Sequence, residues 1–165
     1  MAEGRLLRLL RALHESGVEF VLVGGLSGAL NGAPIHTEDV DIVHRRDPGN
    51  ITRLLTVLDN LDARYRAHPE CPLRPTASHL ASDGHQNLTT RLGWLDVLGA
   101  LEGGMDYAAL LPHSHELEVG DGVRIRVLDL ETYIGIKEKL GGEKDRAVLP
   151  VLRQTLRERQ RLERD

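Results

Sequence analysis

Two aspartates two residues apart, Asp39 and Asp41, sit in the run Thr37-Glu38-Asp39-Val40-Asp41-Ile42-Val43. Side chains alternate across a strand, so both acids point to one face while Val40 and Ile42 point to the other. Aspartate is a poor strand former. Ionised carboxylates on a sheet are costly when buried unless something neutralises them. A pair on one face therefore suggests a divalent cation. Upstream, Val21-Leu22-Val23-Gly24-Gly25-Leu26-Ser27 carries an apolar strand into a double glycine and a short helix. Such a turn lets backbone amides approach phosphate. A cation beside a phosphate-binding turn is what phosphate-transfer chemistry needs. A third lone acid, Asp96, lies inside the apolar run Trp94-Leu95-Asp96-Val97-Leu98. Three strand acids fit one metal cluster better than three unrelated surface charges.

The elements that must position these residues are legible in outline. Leu6, Leu7, Leu9, Leu10 and Leu13 alternate with Arg5, Arg8 and Arg11 at helical spacing, which predicts a helix over 5–16 closed by Gly17. The pattern then predicts a buried strand over 18–23, a short helix over 26–30 and a second strand over 40–44. Asp47 suits an N-cap and Pro48 the first position of a helix over 48–59. Residues 68–87, rich in Pro, Ser, His and Gly, read as a long loop able to cover the active face. A paired or bent strand unit follows over 88–98. Alternation on both sides of Asp121-Gly122 predicts a hairpin over 117–127. Asp129 caps a helix over 130–140, Gly141-Gly142 breaks it, and a last helix runs over 143–160. No repeat and no linker divides the 165 residues, so one domain is expected, with its core over 18–140.

Composition narrows the class. Aromatics make up only 3%, so the core must be built from Leu, Val, Ile and Ala. A net charge of −4 argues against a generic nucleic-acid coat protein while leaving room for a local basic patch. The single cysteine, Cys71, excludes an internal disulfide and fits a reducing cytoplasm, the expected location. No signal peptide is visible, and no apolar run approaches the ~20 residues that span a bilayer.

Taken together, Gly24-Gly25-Leu26-Ser27, Thr37 to Val43 and Gly93-Trp94-Leu95-Asp96-Val97-Leu98 resemble the nucleotidyltransferase superfamily that includes DNA polymerase beta. More narrowly they resemble its minimal bacterial members, some of which are toxins of toxin–antitoxin and abortive-infection systems. The stretch Asp129 to Lys139, followed by Lys144-Asp145-Arg146, is similar to a C-terminal element of that group. The resemblance implies an α+β fold, a small mixed sheet flanked by helices. It implies that Asp39, Asp41 and Asp96 hold two magnesium (or manganese) ions and carry catalysis. Gly24, Gly25, Ser27 and Lys137 would meet the nucleotide. The implied reaction moves a nucleoside monophosphate from an NTP, ATP among them, to a hydroxyl or phosphate of RNA, tRNA included, protein or a small molecule, and releases pyrophosphate. An antitoxin partner is implied as well, and no membrane. Gly25 stands where most active members have serine, and His36 where many carry arginine. An inactive nucleotide- or RNA-binding member of the same fold is the alternative.

Other residues read more plainly. His113-Ser114-His115 is a solvated loop, and His68, Cys71, His79 and His85 match no zinc spacing. His79 or His85 contacting substrate is the better role for that stretch. Trp94 reads as core or strand-face packing. Arg153, Arg157, Arg159, Arg161 and Arg164, interleaved with acids, read as a solvated helix face. A dinucleotide-binding turn is excluded, because Gly-x-Gly is missing and the helix before Asn31-Gly32 is too short.

Overall fold

The structure, a computed structural model, describes residues 4–165. Helix α1 (Arg5–Glu15) fully buries Leu9, Leu10 and Leu13, and Gly17 follows it at φ +76°. All four residues of β1 (Phe20–Val23) are buried. The chain bends at Gly24 straight into α2 (Gly24–Leu30), then returns as β2 (Asp39–His44). Asp47 accepts a hydrogen bond from the Asn50 amide and, with Pro48, starts α3 (Pro48–Asn60) as expected. There follow β3 (Arg64–Tyr65), α4 (Ala77–Ala81), β4 (His85–Thr90) and β5 (Gly93–Leu98). A minor ribbon of β6 (Ala100–Leu101) and β7 (Met105–Asp106) leads to α5 (Tyr107–Leu110) and one 3-10 turn. The chain ends with β8 (Ser114–Glu118), β9 (Arg124–Leu128), α6 (Leu130–Leu140) and α7 (Glu143–Arg164).

The main sheet is mixed, with strand order β3-β4-β5-β2-β1-β9-β8. Alternation divides the core between its two faces. Leu22, Val40, Ile42, Leu95 and Val97 pack with the leucines of α1 and α3. Val21, Val23, Val43, Leu98 and Leu128 pack with Tyr133 and Ile134 of α6 and with Leu149 and Leu152 of α7. Asp39 and Asp41 are in step with Val43, and Asp96 with Leu98. The acids therefore lie on the α6 side, where the apolar cover stops.

Two expectations are corrected here. Residues 68–87 are not one loop: Thr76 and His79 form a reciprocal capping box on α4, and β4 begins at His85. Leu80 of α4 is fully buried in the cluster on the opposite face from the acids, so α4 does not cover them. Nor is His113-Ser114-His115 all loop, since β8 starts at Ser114 and His115 bonds Asp129 at 2.7 Å. Among the described residues no helix is long and apolar enough to cross a membrane.

Candidate active site

β2 and β5 are parallel neighbours, and their register sets Asp41 opposite Asp96 and Asp39 opposite Trp94. The sheet thus joins acids far apart in sequence. One carboxylate oxygen from each of Asp39, Asp41 and Asp96 lies within 4.8 Å of the others. Like charges placed directly opposite on a sheet repel. The cost shows in the titration of Asp41, whose carboxyl is pushed up to about 8, first by burial, then by a hydrogen bond with Asp96 and the charges of Asp96 and Asp39. Asp39 is also raised, mainly by burial and then by Asp96, with Arg66 opposing. An all-oxygen donor set crowded in this way suits a hard divalent cation, whose charge removes the repulsion.

Gly24 shows how closely the turn is built against the acids. Its φ is +69°, and a Cβ there would overlap the Asp41 carboxylate. Only glycine satisfies both conditions. Gly25 has a different neighbour: an added Cβ would lie 3.3 Å from Cβ and Oγ1 of Thr37. A side chain at position 25 would crowd Thr37, which would have to give by a few tenths of an ångström. Ser27 is buried and its hydroxyl donates to the Gly24 carbonyl at 2.6 Å, so it braces the turn from behind and does not reach the open face.

A cleft of about 260 Å³ opens beside the acids, lined by Gly24, Asp41, Asp96, Tyr133, Ile136 and Lys137 among others. Lys137 reaches it from α6, but its ammonium also donates to Asp145 at 2.8 Å and lies 5.5 Å from the Tyr133 ring centre. Burial pulls its pKa down, yet the Asp145 hydrogen bond and Tyr133 raise it overall, so the lysine stays charged. Asp145 is lowered in return, chiefly by its bond to Lys137. His85 lines the same cleft, with Nε2 3.2 Å from the Ala100 carbonyl oxygen. His79 instead serves the α4 cap and packs edge-on against Tyr65.

Arg66 is the participant that sequence reasoning missed. It donates to Asp96 Oδ1 at 2.6 Å and to the Leu88 carbonyl at 3.0 Å, and its guanidinium lies 4.7 Å over the Trp94 ring centre. No spacing pointed to it, because it follows the two-residue β3, which is too short to carry a pattern. Of the two readings of Trp94, the core one is corrected: the indole is 47% exposed, on the strand face that carries the acids, where Arg66 packs over it.

The fold has counterparts among solved structures. A candidate nucleotidyltransferase of Thermotoga maritima superposes with a TM-score of 0.56 over 96% of both chains at 24% identity. The chain has the nucleotidyltransferase fold. The lincosamide antibiotic adenylyltransferase LnuA, solved with lincomycin bound, gives a TM-score of 0.61 over 94% of this chain and 98% of its own at 15% identity. The antibiotic-resistance factor ANT(2'')-Ia gives 0.59 over 92% and 82% at 14% identity. No family model and no curated protein sequence matches this chain.

Proposed function

We propose that this nucleotidyltransferase-fold chain is an active enzyme, moving a nucleoside monophosphate from an NTP to an acceptor hydroxyl with release of pyrophosphate. The observation that carries this reading is the meeting of three carboxylates within 4.8 Å against a left-handed glycine whose Cβ would collide with one of them. A sheet that only had to be stable would not retain such repulsion.

Asp39, Asp41 and Asp96 would hold magnesium or manganese. The bound cation supplies Lewis-acid stabilisation of the charge that builds on phosphoryl oxygens. Gly24 and Gly25 let the backbone approach the triphosphate, and Thr37 offers the hydroxyl that position 25 lacks. Lys137, held charged by Asp145, adds a positive charge on the α6 side of the cleft. The acceptor oxygen attacks the α-phosphorus while the bond to the bridging oxygen breaks, and pyrophosphate leaves with that electron pair. Asp96 would take the acceptor proton. Two of the structures similar to this one carry antibiotic names, so small hydroxyl compounds belong among the acceptors to be tried, beside RNA. Action in the cytoplasm follows from the NTP requirement.

The test is incubation with each α-labelled NTP, magnesium or manganese, and acceptors drawn from total RNA, cell extract and small hydroxyl compounds. Label transfer with release of pyrophosphate is expected. Asp41→Asn removes one charge from the cluster and should lower the rate at least 100-fold, about 2.7 kcal/mol of barrier. Absence of transfer under every condition, or transfer undiminished in Asp41→Asn, overturns the reading.

A further inference from the structure

A two-substrate reaction needs a second pocket, and the strands that carry the acids border two hollows. One is the cleft between the sheet and α6, with Gly24 and Lys137. The other is a hollow of about 370 Å³ lined by Trp94, Leu92, Thr37, Glu38, Leu6 and Arg5. Thr37 and Glu38 lead directly into Asp39, and Trp94 pairs with Asp39 across β2 and β5. Trp94 and Asp96 share a face two residues apart, about 7 Å along the strand.

We propose that this hollow is the acceptor subsite, with Trp94 as the platform for a ring that the acceptor carries next to its reacting hydroxyl. The inference rests on the nucleotidyl-transfer reading and adds the class of acceptor: a hydroxyl compound with a stackable ring, polar enough for a rim holding both Arg5 and Glu38.

Three observations support it. Trp94 is the only tryptophan of the chain, and it stands 47% exposed on a strand whose next residue, Leu95, is fully buried. The exposed indole offers a large apolar face of the kind on which rings stack. The indole is also held in place: Arg66 lies 4.7 Å over the ring and is itself tied to Asp96 and to the Leu88 carbonyl. A fixed platform loses little freedom when a ligand stacks on it. Finally, the platform shares its sheet face with Asp96, two residues before it on β5. A ring resting there brings its attached hydroxyl to the acid expected to take its proton.

Because Trp94 is alone, its fluorescence reports this hollow directly. The full chain, with magnesium and a non-hydrolysable NTP, is titrated with three probes: a nucleoside, a short oligoribonucleotide ending in a free 3′-hydroxyl, and a methyl pyranoside. At least one should shield Trp94 from acrylamide quenching in a saturable manner, and which one does so separates a nucleobase from a sugar ring. Calorimetry on Trp94→Ala should then show that probe bound at least tenfold more weakly, the scale of one stacked ring, with Trp94→Phe retaining most of the affinity. Mg·NTP binding to Trp94→Ala, measured in the same instrument, separates this inference from the reading beneath it. No shielding by any probe, or equal affinity in Trp94→Ala, overturns the inference even where pyrophosphate is released. Failed NTP binding in the wild type overturns the nucleotidyl-transfer reading instead.

Discussion

At the scale of single residues, Asp41 concentrates the conflict between stability and chemistry. Its carboxyl titrates near 3.8 in the unfolded chain and is pushed up to about 8 in the fold, by burial first and then by Asp96. Across that window the folded state holds a proton that the unfolded state has released, so the metal-free fold loses stability as pH rises. Asp41→Asn keeps the shape and removes the charge. In EDTA its Tm should exceed that of the wild type by several degrees, a gain of ~1 kcal/mol being worth roughly 2–4 °C. The gap should widen from about pH 5 to about pH 8. The same variant is expected to lose label transfer, a site residue kept at the expense of stability. A Tm in EDTA at or below wild type would show that repulsion among the acids does not burden the fold.

At the scale of elements, contacts between strands and helices decide which residues reach the site. His44 ends β2 and is 1% exposed. Its Nε2 lies 2.7 Å from the Leu80 carbonyl, fixing α4 to the face away from the acids. Burial, above all, lowers its pKa. The unfolded chain therefore takes up a proton that the folded one refuses, and stability falls as pH drops below about 6.5. His44→Gln keeps a donor for Leu80 and cannot be protonated. Urea titrations should show it less stable than wild type at about pH 7.5, with the difference shrinking towards about pH 5.5. A constant difference would mean that His44 does not supply the acid sensitivity. On the other face, the Lys137 to Asp145 bond joins α6 to the start of α7, so the lysine's reach into the cleft depends on how those helices pack.

At the scale of the whole molecule, a cation bound to folded but not unfolded chain stabilises it by mass action. With magnesium or manganese at about 100 times its Kd the gain is about 2.7 kcal/mol, or roughly 5–10 °C in Tm. Asp96→Asn should abolish most of that shift. Calcium, larger and less strict in its coordination, should shift Tm without supporting transfer. A Tm unmoved by any of these ions would argue that the carboxylates do not form a metal site.

The local part of this fold was legible because it depends on neighbours in the chain. The leucines of α1, the Asp47-Pro48 start of α3, the Asp121-Gly122 hairpin and the glycine after α6 declare themselves through periodicity, capping and turn chemistry. The alternation of Asp39, Val40, Asp41 and Ile42 likewise determines that the two acids share a face. Asp129 marks the start of α6, but its carboxylate pairs with His115 and does not cap an amide, which only the packing of β8 on β9 decides. The capping stretch before β4 looked like loop because Leu80 is its one deeply buried apolar residue. Trp94 and Arg66 lay beyond sequence reading for a similar reason: exposure and a cross-strand ion pair depend on strand order and register. Alternation within a strand thus determined which side chains share a face. The pairing of β2 with β5 decided that Asp96 completes the cluster and that Trp94 stands open beside it.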